Sequence, residues 1–196
     1  MVAAIAGVPA PPPRDVVQSA VSRVIAVLLA EADQPARDMT VPARNAREAA
    51  RAEIRRIAAE TFDFEEMARR TLLRQWATRT PAEHAEFIRL FTDMLERAYI
   101  GRLEAYAGEK VVYLGSALDG PYATVRSKIA RRGRNEIGLD YRLHLVDSKW
   151  KVYDLIIDGV SFVSTYRAEF NRVIQSSSFE ELLNRMKKRE IVAERL

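Results

Sequence analysis

The chain has 196 residues, 48% of them hydrophobic, with 31 basic against 27 acidic side chains and a formal net charge of +4. That length supports one sizeable core, and no run approaches the roughly 20 apolar residues a bilayer span needs. With no cysteine and two well-separated histidines, His84 and His144, thiol chemistry, disulfides and metal-ligand spacings are excluded, so no metal or cofactor is expected.

The basic runs, Arg131-Arg132-Gly133-Arg134 and Arg185 to Arg189, are short and interrupted by other residues. They read as solvated turn and helix-end charges, not a nucleic-acid track. Residues 1–13 read as a disordered arm or the remnant of an export signal, apolar at first and then proline-rich from Pro9 to Pro13.

Residues 14–32 form an amphipathic helix with Val17, Ala20, Val21, Val24 and Leu28 on its apolar side. Residues 43–60 form a second, arginine-rich helix anchored only by Ile54 and Ile57. "TFDFEEMARRTL" opens a third, with Asp63 and Glu66 spaced for reciprocal capping. Thr80-Pro81-Ala82-Glu83 repeats that logic with proline at the first helical position. The helix it opens is predicted to run to about Ala107, ended by Gly108.

From Lys110 the apolar period changes to two. "KVVYLGSAL", "YATVRSKIAR", "NEIGLDYRLHLV" and "KWKVYDLIID" read as four strands, and the short links between them predict an antiparallel meander. On the third strand Ile137, Leu139, Tyr141, Leu143 and Leu145 share a face; on the fourth, Tyr153, Leu155 and Ile157 do. The fourth strand is predicted to run straight into a helix across Asp158-Gly159, with Ser161 as its cap. A last helix opens with Ser178-Phe179-Glu180-Glu181. The class is α+β: a curved four-stranded antiparallel sheet with helices over one face.

Two chemical readings compete. Asp154, out of phase with Tyr153 and Leu155, is the candidate proton-transfer group if the fold is a sheet-and-helix cone of the isomerase type. Alternatively, the large apolar set either fills a core or lines a hollow that holds an apolar ligand, and periodicity alone does not separate these. In the hollow reading Tyr141, Leu143, Tyr153, Leu155 and Ile157 face one space also walled by Phe91, Tyr99, Phe162 and Tyr166.

The segments "FDFEEMARRTL" with Trp76 following, "TPAEHAEFIRLFTDMLERAYIGRLEAYAGEKV", "LDYRLHLVDSKWKVYDLIIDGVSFVSTYRAEFNRVI" and "SFEELLNRMKKR" together resemble the MlaC family of periplasmic phospholipid carriers, also called toluene-tolerance auxiliary proteins. The likeness runs from about Asp15 to Arg189 and is most specific over Trp150 to Phe170. Leu73 departs from it, standing where the family usually has glycine, and Ser176-Ser177-Ser178 replaces a glycine-containing turn.

The resemblance implies a single carrier domain over 14–189, with a helical layer at 14–108 and 159–189, a sheet at 110–158, and a tail at 190–196. It implies an apolar cavity lined by Met67, Trp76, Phe91, Leu95, Tyr99, Val125, Tyr141, Leu143, Tyr153, Leu155, Ile157, Phe162, Val163 and Tyr166. It further implies no catalysis, a periplasmic location and only transient membrane contact. The implied partners are a phospholipid, an inner-membrane ABC transporter complex with its substrate-binding ring, and an outer-membrane lipoprotein complex. A hopanoid-associated branch shares the pattern, so a polycyclic lipid is the alternative cargo.

Overall fold

The computed structural model describes residues 10–32, 41–104, 106–130 and 135–191. The first nine residues of the expected arm, the last five of the tail and the Arg131–Arg134 run lie outside the described residues. Four helices come first: α1 (Pro13–Ala32), α2 (Val41–Thr61), α3 (Phe64–Leu72) and, after a 3-10 turn over Leu73–Thr78, α4 (Pro81–Glu104). A sheet follows, and α5 (Phe162–Ser176) and α6 (Phe179–Lys187) close the fold.

The caps explain where the helices start. Thr80 and Glu83 form the full reciprocal box: Thr80 N donates to Glu83 Oε2 at 2.7 Å and Glu83 N donates to Thr80 Oγ1 at 3.2 Å. At α3 the box is half built. Glu66 N donates to Asp63 Oδ1 at 2.9 Å, but the Asp63 N–H is already used by Val152 O, also at 2.9 Å. Glu66 has no donor to reach back to and pairs with Arg69 and Arg70 instead, both at 2.6 Å. At α6, Ser178 accepts from Glu181 N at 3.0 Å while the Glu181 side chain pairs with Arg185.

The sheet has five strands, not the expected four: β1 (Lys110–Asp119), β2 (Tyr122–Ala130), β3 (Ile137–Val146), β4 (Lys149–Ile157) and β5 (Val160–Ser161), antiparallel and in sequence order. The extra strand comes from Asp158-Gly159. Both residues have positive φ, 47° and 83°, the requirement of a two-residue type I′ hairpin. The chain therefore reverses and pairs Val160 with Ile157 before the helix begins. Asp147 and Ser148, at φ 47° and 61°, turn β3 into β4 in the same way.

A bulge changes the phase of β4. Arg142 pairs with Asp154 but Leu143 pairs with Val152, so Tyr153 is the extra residue. Cross-strand partners share a face. Leu155 and Ile157 stand with Tyr141 and Leu139 as expected, but Trp150 and Val152 complete that face and Tyr153 does not. Tyr153 joins Tyr122 and His144 on the opposite face, at ring distances of 6.1 and 5.5 Å.

Nor do the helices keep to one face. Val17 of α1 packs with Val125, Leu143 and Val152. On the other side Asp63 meets His144 Nε2 at 2.9 Å, and the Arg70 guanidinium lies 4.0 Å from the Tyr153 ring centroid. The helical layer thus wraps the β4 edge.

Apolar packing divides into two clusters. One is helical, built by Met67, Phe87, Phe91, Phe162, Tyr166, Phe170, Leu182 and their neighbours on α3 to α6. The other is Val17 against Ala123, Val125, Tyr141, Leu143, Trp150 and Val152. Among the described residues the half-buried Phe62 and Leu155 belong to both and join them.

Candidate functional site

The register sorts one face of the sheet into rows. Val125, Tyr141 and Leu155 form one row, and Ala123, Leu143 and Val152 the next. Apart from Leu155 these are closed over by α1; Val125, Leu143 and Val152 have no exposed surface. Two further rows lie toward the other end: Tyr113, Ser127, Leu139 and Ile157, then Val111, Ile129 and Ile137. Apart from Ser127, every side chain in these two rows is only half buried.

Five aliphatic side chains and a tyrosine are thus left partly uncovered on a face whose other half is sealed. Ser127 is buried in these rows, its hydroxyl satisfied by donating to Leu139 O at 2.7 Å within the sheet.

An open cleft of about 410 Å³ enters at this end, between Val21 and Ile25 of α1, Tyr106 beyond α4, and Val111 and Tyr113 of β1. Tyr106 is fixed there by its hydroxyl, which donates to Glu109 O at 2.8 Å. The Tyr113 hydroxyl is buried and meets no hydrogen-bond partner among the described residues, and burial pushes its pKa up. On the opposite face a second open cleft of about 390 Å³ is lined by Arg70, Leu118, Tyr122, Arg142 and Tyr153. Both concavities open to solvent. Neither is the single enclosed void expected from the sequence.

The residues expected to line that void are distributed between the two clusters. Met67, Phe91, Leu95, Phe162, Val163 and Tyr166 are buried inside the helical cluster, with Trp76, Tyr99 and Tyr153 packed at its margin. Phe91 stands edge-on to Tyr166 and Phe170 at 5.8 and 5.9 Å, and Tyr99 lies 4.9 Å from Phe162. Trp76, in the 3-10 turn, stacks on the His84 ring in the first turn of α4 at 3.7 Å. Val125, Tyr141 and Leu143 belong to the sheet cluster, Leu155 to both, and Ile157 to the open rows. Burial pushes the Tyr141 hydroxyl far above its ordinary range. The open-row residues Val111, Tyr113 and Ile129, together with Ile25 and Tyr106, are not among the expected site residues, and Val21 is expected only as part of the apolar side of α1. Their signal was available in the alternation of "KVVY", but alternation does not tell covered from uncovered.

Asp154, the candidate acid, is 2% exposed and held on all sides. Ser161 Oγ donates to its Oδ2 at 2.7 Å, Val163 N donates to Oδ1 at 3.0 Å, and Arg142 donates at 3.4 Å. Ser161 in turn accepts from Ser164 N at 3.1 Å. Serine and aspartate together cap α5 and tie it to β4, at the favourable end of the helix dipole. Among the described residues no group of acidic and histidine side chains could hold a metal, and no helix is long and apolar enough to cross a membrane.

Two comparisons bear on this arrangement. A solved phospholipid-binding protein from Ralstonia solanacearum, determined in complex with a phospholipid, superposes with a TM-score of 0.78. It shares 25% identity, and the match covers 91% of this chain and 97% of that one. The family model for MlaC protein matches residues 19–188, which span α1 from its first turns through α6. The chain belongs to the MlaC family.

Proposed function

We propose that this protein is a periplasmic lipid carrier that takes phospholipid acyl chains against the open rows of the sheet. In this reading the chains enter the seam between the sheet cluster and the helical cluster. The observation that carries it is the half-covered sheet face. Val111, Ile129, Ile137, Leu139 and Ile157 present aliphatic surface beneath helices that do not fill it. The fold shared with a protein holding a phospholipid supports the same reading.

Acyl chains need apolar walls and few directional contacts. Burying about ten methylenes contributes ~8 kcal/mol, a micromolar-class affinity before ordering costs. The sheet cluster and the helical cluster meet through half-buried residues, so they can part to admit a chain and close without one. A partner that binds the parted form more tightly would drive release. In this reading the carrier shuttles between an inner-membrane ABC transporter complex and an outer-membrane lipoprotein complex.

Solvent extraction of the protein purified from the periplasm, followed by mass spectrometry, tests this. About one phospholipid per chain is expected. Extracts free of lipid, with delipidated protein that takes up none from vesicles, would overturn the reading; a hopanoid in its place would change the cargo.

A further inference from the structure

Arg47, Arg51 and Arg55 follow one another at four-residue spacing on α2, so they stack on one face of the helix. Each reaches off its own helix. Arg51 donates through Nε and a terminal nitrogen to both carboxylate oxygens of Glu104, at 2.6 and 3.1 Å. Arg55 Nε donates to Glu96 at 2.8 Å, and Arg47 lies 4.0 Å from Glu31 of α1.

Glu96 and Glu104 stand eight residues apart along α4. The two ion pairs tie α2 to α4. Buried Ile54 sits beside Arg55 in the sequence and buried Leu95 beside Glu96. The Glu104 end leads into Tyr106 and the cleft over the open rows.

Both bridges are partly solvated, with Arg51 and Arg55 each 47% exposed. Exposed pairs hold weakly and are screened by salt. A guanidinium fork that fits a carboxylate fits a phosphate equally well. A lipid whose chains lie on the open rows would bring its phosphate out at this rim.

We propose that Arg51 and Arg55 clasp the phosphate of the bound lipid, releasing Glu104 and Glu96 and taking the phosphodiester in their place. The inference rests on the carrier reading above. The carboxylates keep the rim closed and the arginines compensated while the site is empty. The phosphate replaces them when it is filled.

The test uses the delipidated full chain, titrated with phosphatidylglycerol and with diacylglycerol of the same acyl chains. Native mass spectrometry reads the occupancy. Wild type should favour phosphatidylglycerol about tenfold, and R51Q/R55Q should lose that preference. E96Q/E104Q removes the competing carboxylate charges and should tighten phosphatidylglycerol severalfold while leaving diacylglycerol unchanged. Inorganic phosphate at millimolar concentration should displace little lipid; full displacement would reassign the clasp to free phosphate and overturn the proposal.

R51Q/R55Q that folds by circular dichroism and keeps the wild-type preference would also overturn the clasp and leave the carrier standing. Wild type that binds neither lipid would overturn the carrier itself. Should R51Q/R55Q not fold, E96Q/E104Q decides alone: unchanged phosphatidylglycerol affinity refutes the exchange.

Discussion

Replacing Asp154 by alanine deletes the acceptor that joins β4 to the start of α5. Besides the exposed Arg142 guanidinium at 3.4 Å, two donors lose their partner, the Ser161 hydroxyl at 2.7 Å and the Val163 N–H at 3.0 Å, in a site where the aspartate is 2% exposed. The Ser161 hydroxyl can rotate toward another acceptor, but the Val163 N–H is fixed by the helix backbone and is stranded. A hydrogen bond to a charged group contributes about 1.5–3 kcal/mol, and a stranded buried donor costs ~1–3 kcal/mol. The loss for Asp154→Ala should therefore be about 2–4 kcal/mol, allowing for part of the Ser161 bond being recovered. For a chain of this size that lowers Tm by roughly 4–16 °C. Asp154→Asn keeps one acceptor and should lose about half as much. Urea unfolding followed by circular dichroism measures both, and bound lipid per folded molecule should match wild type in each. An alanine variant within about 0.5 kcal/mol of wild type would refute the capping role. An asparagine variant that melts like wild type yet fails to transfer lipid would return Asp154 to chemistry.

Leu73 has φ 49° and is 53% exposed, so Leu73→Gly should stabilise by about 1 kcal/mol in the same unfolding assay. Leu139→Asp places a charge on an open row and should abolish co-purified lipid with the fold intact, whereas Leu143→Asp, at a site with no exposed surface, should prevent folding; circular dichroism and extraction separate the two. Alkaline unfolding reports Tyr141. Its folded pKa is raised above the ordinary 10.0 by burial, so the unfolded chain gives up this proton first. The contribution is fully present below about pH 10 and is lost as pH rises toward the folded value, at about 1.4 kcal/mol per pH unit. Tyr141→Phe should flatten the stability profile above pH 10 by that one proton, and an unchanged slope would contradict the burial argument.

Much of this architecture is written locally. Thr80, Pro81 and Glu83 cap α4 with groups three residues apart, and the alternation from Ile137 to Leu145 sets the face of β3 without help from the rest of the chain. Ile54 and Ile57, the sole anchors expected of the arginine-rich helix, are buried at 4% and 2% exposure. Leu73 is the converse case: the resemblance leads one to expect glycine there, and the leucine adopts a positive φ at the end of α3. The Asp158-Gly159 hairpin is legible too, since Asp-Gly between the β-branched Ile157 and Val160 is a turn signature. A cap at Ser161 also fits a direct strand-to-helix passage, which is the expectation the hairpin corrects.

The phase of Tyr153 was not legible. A bulge is decided by which cross-strand partner a residue finds, and Val152 has two claims on it: Leu143 across β3, and the Phe62–Asp63 segment along its free edge. That second partner lies some ninety positions earlier in the sequence, beyond the reach of any local pattern. The same distance hides the division of the core. Periodicity assigns Tyr141 and Tyr166 alike to inward faces, and both are buried, yet they pack into different clusters. A protein that needed only stability would gain from fusing those clusters, because each residue on the seam is half exposed where a single core would bury it. The unburied surface of Leu155, Leu139 and Ile157 is stability forgone, and in the proposed carrier an acyl chain taking the place of the missing side chains would recover it.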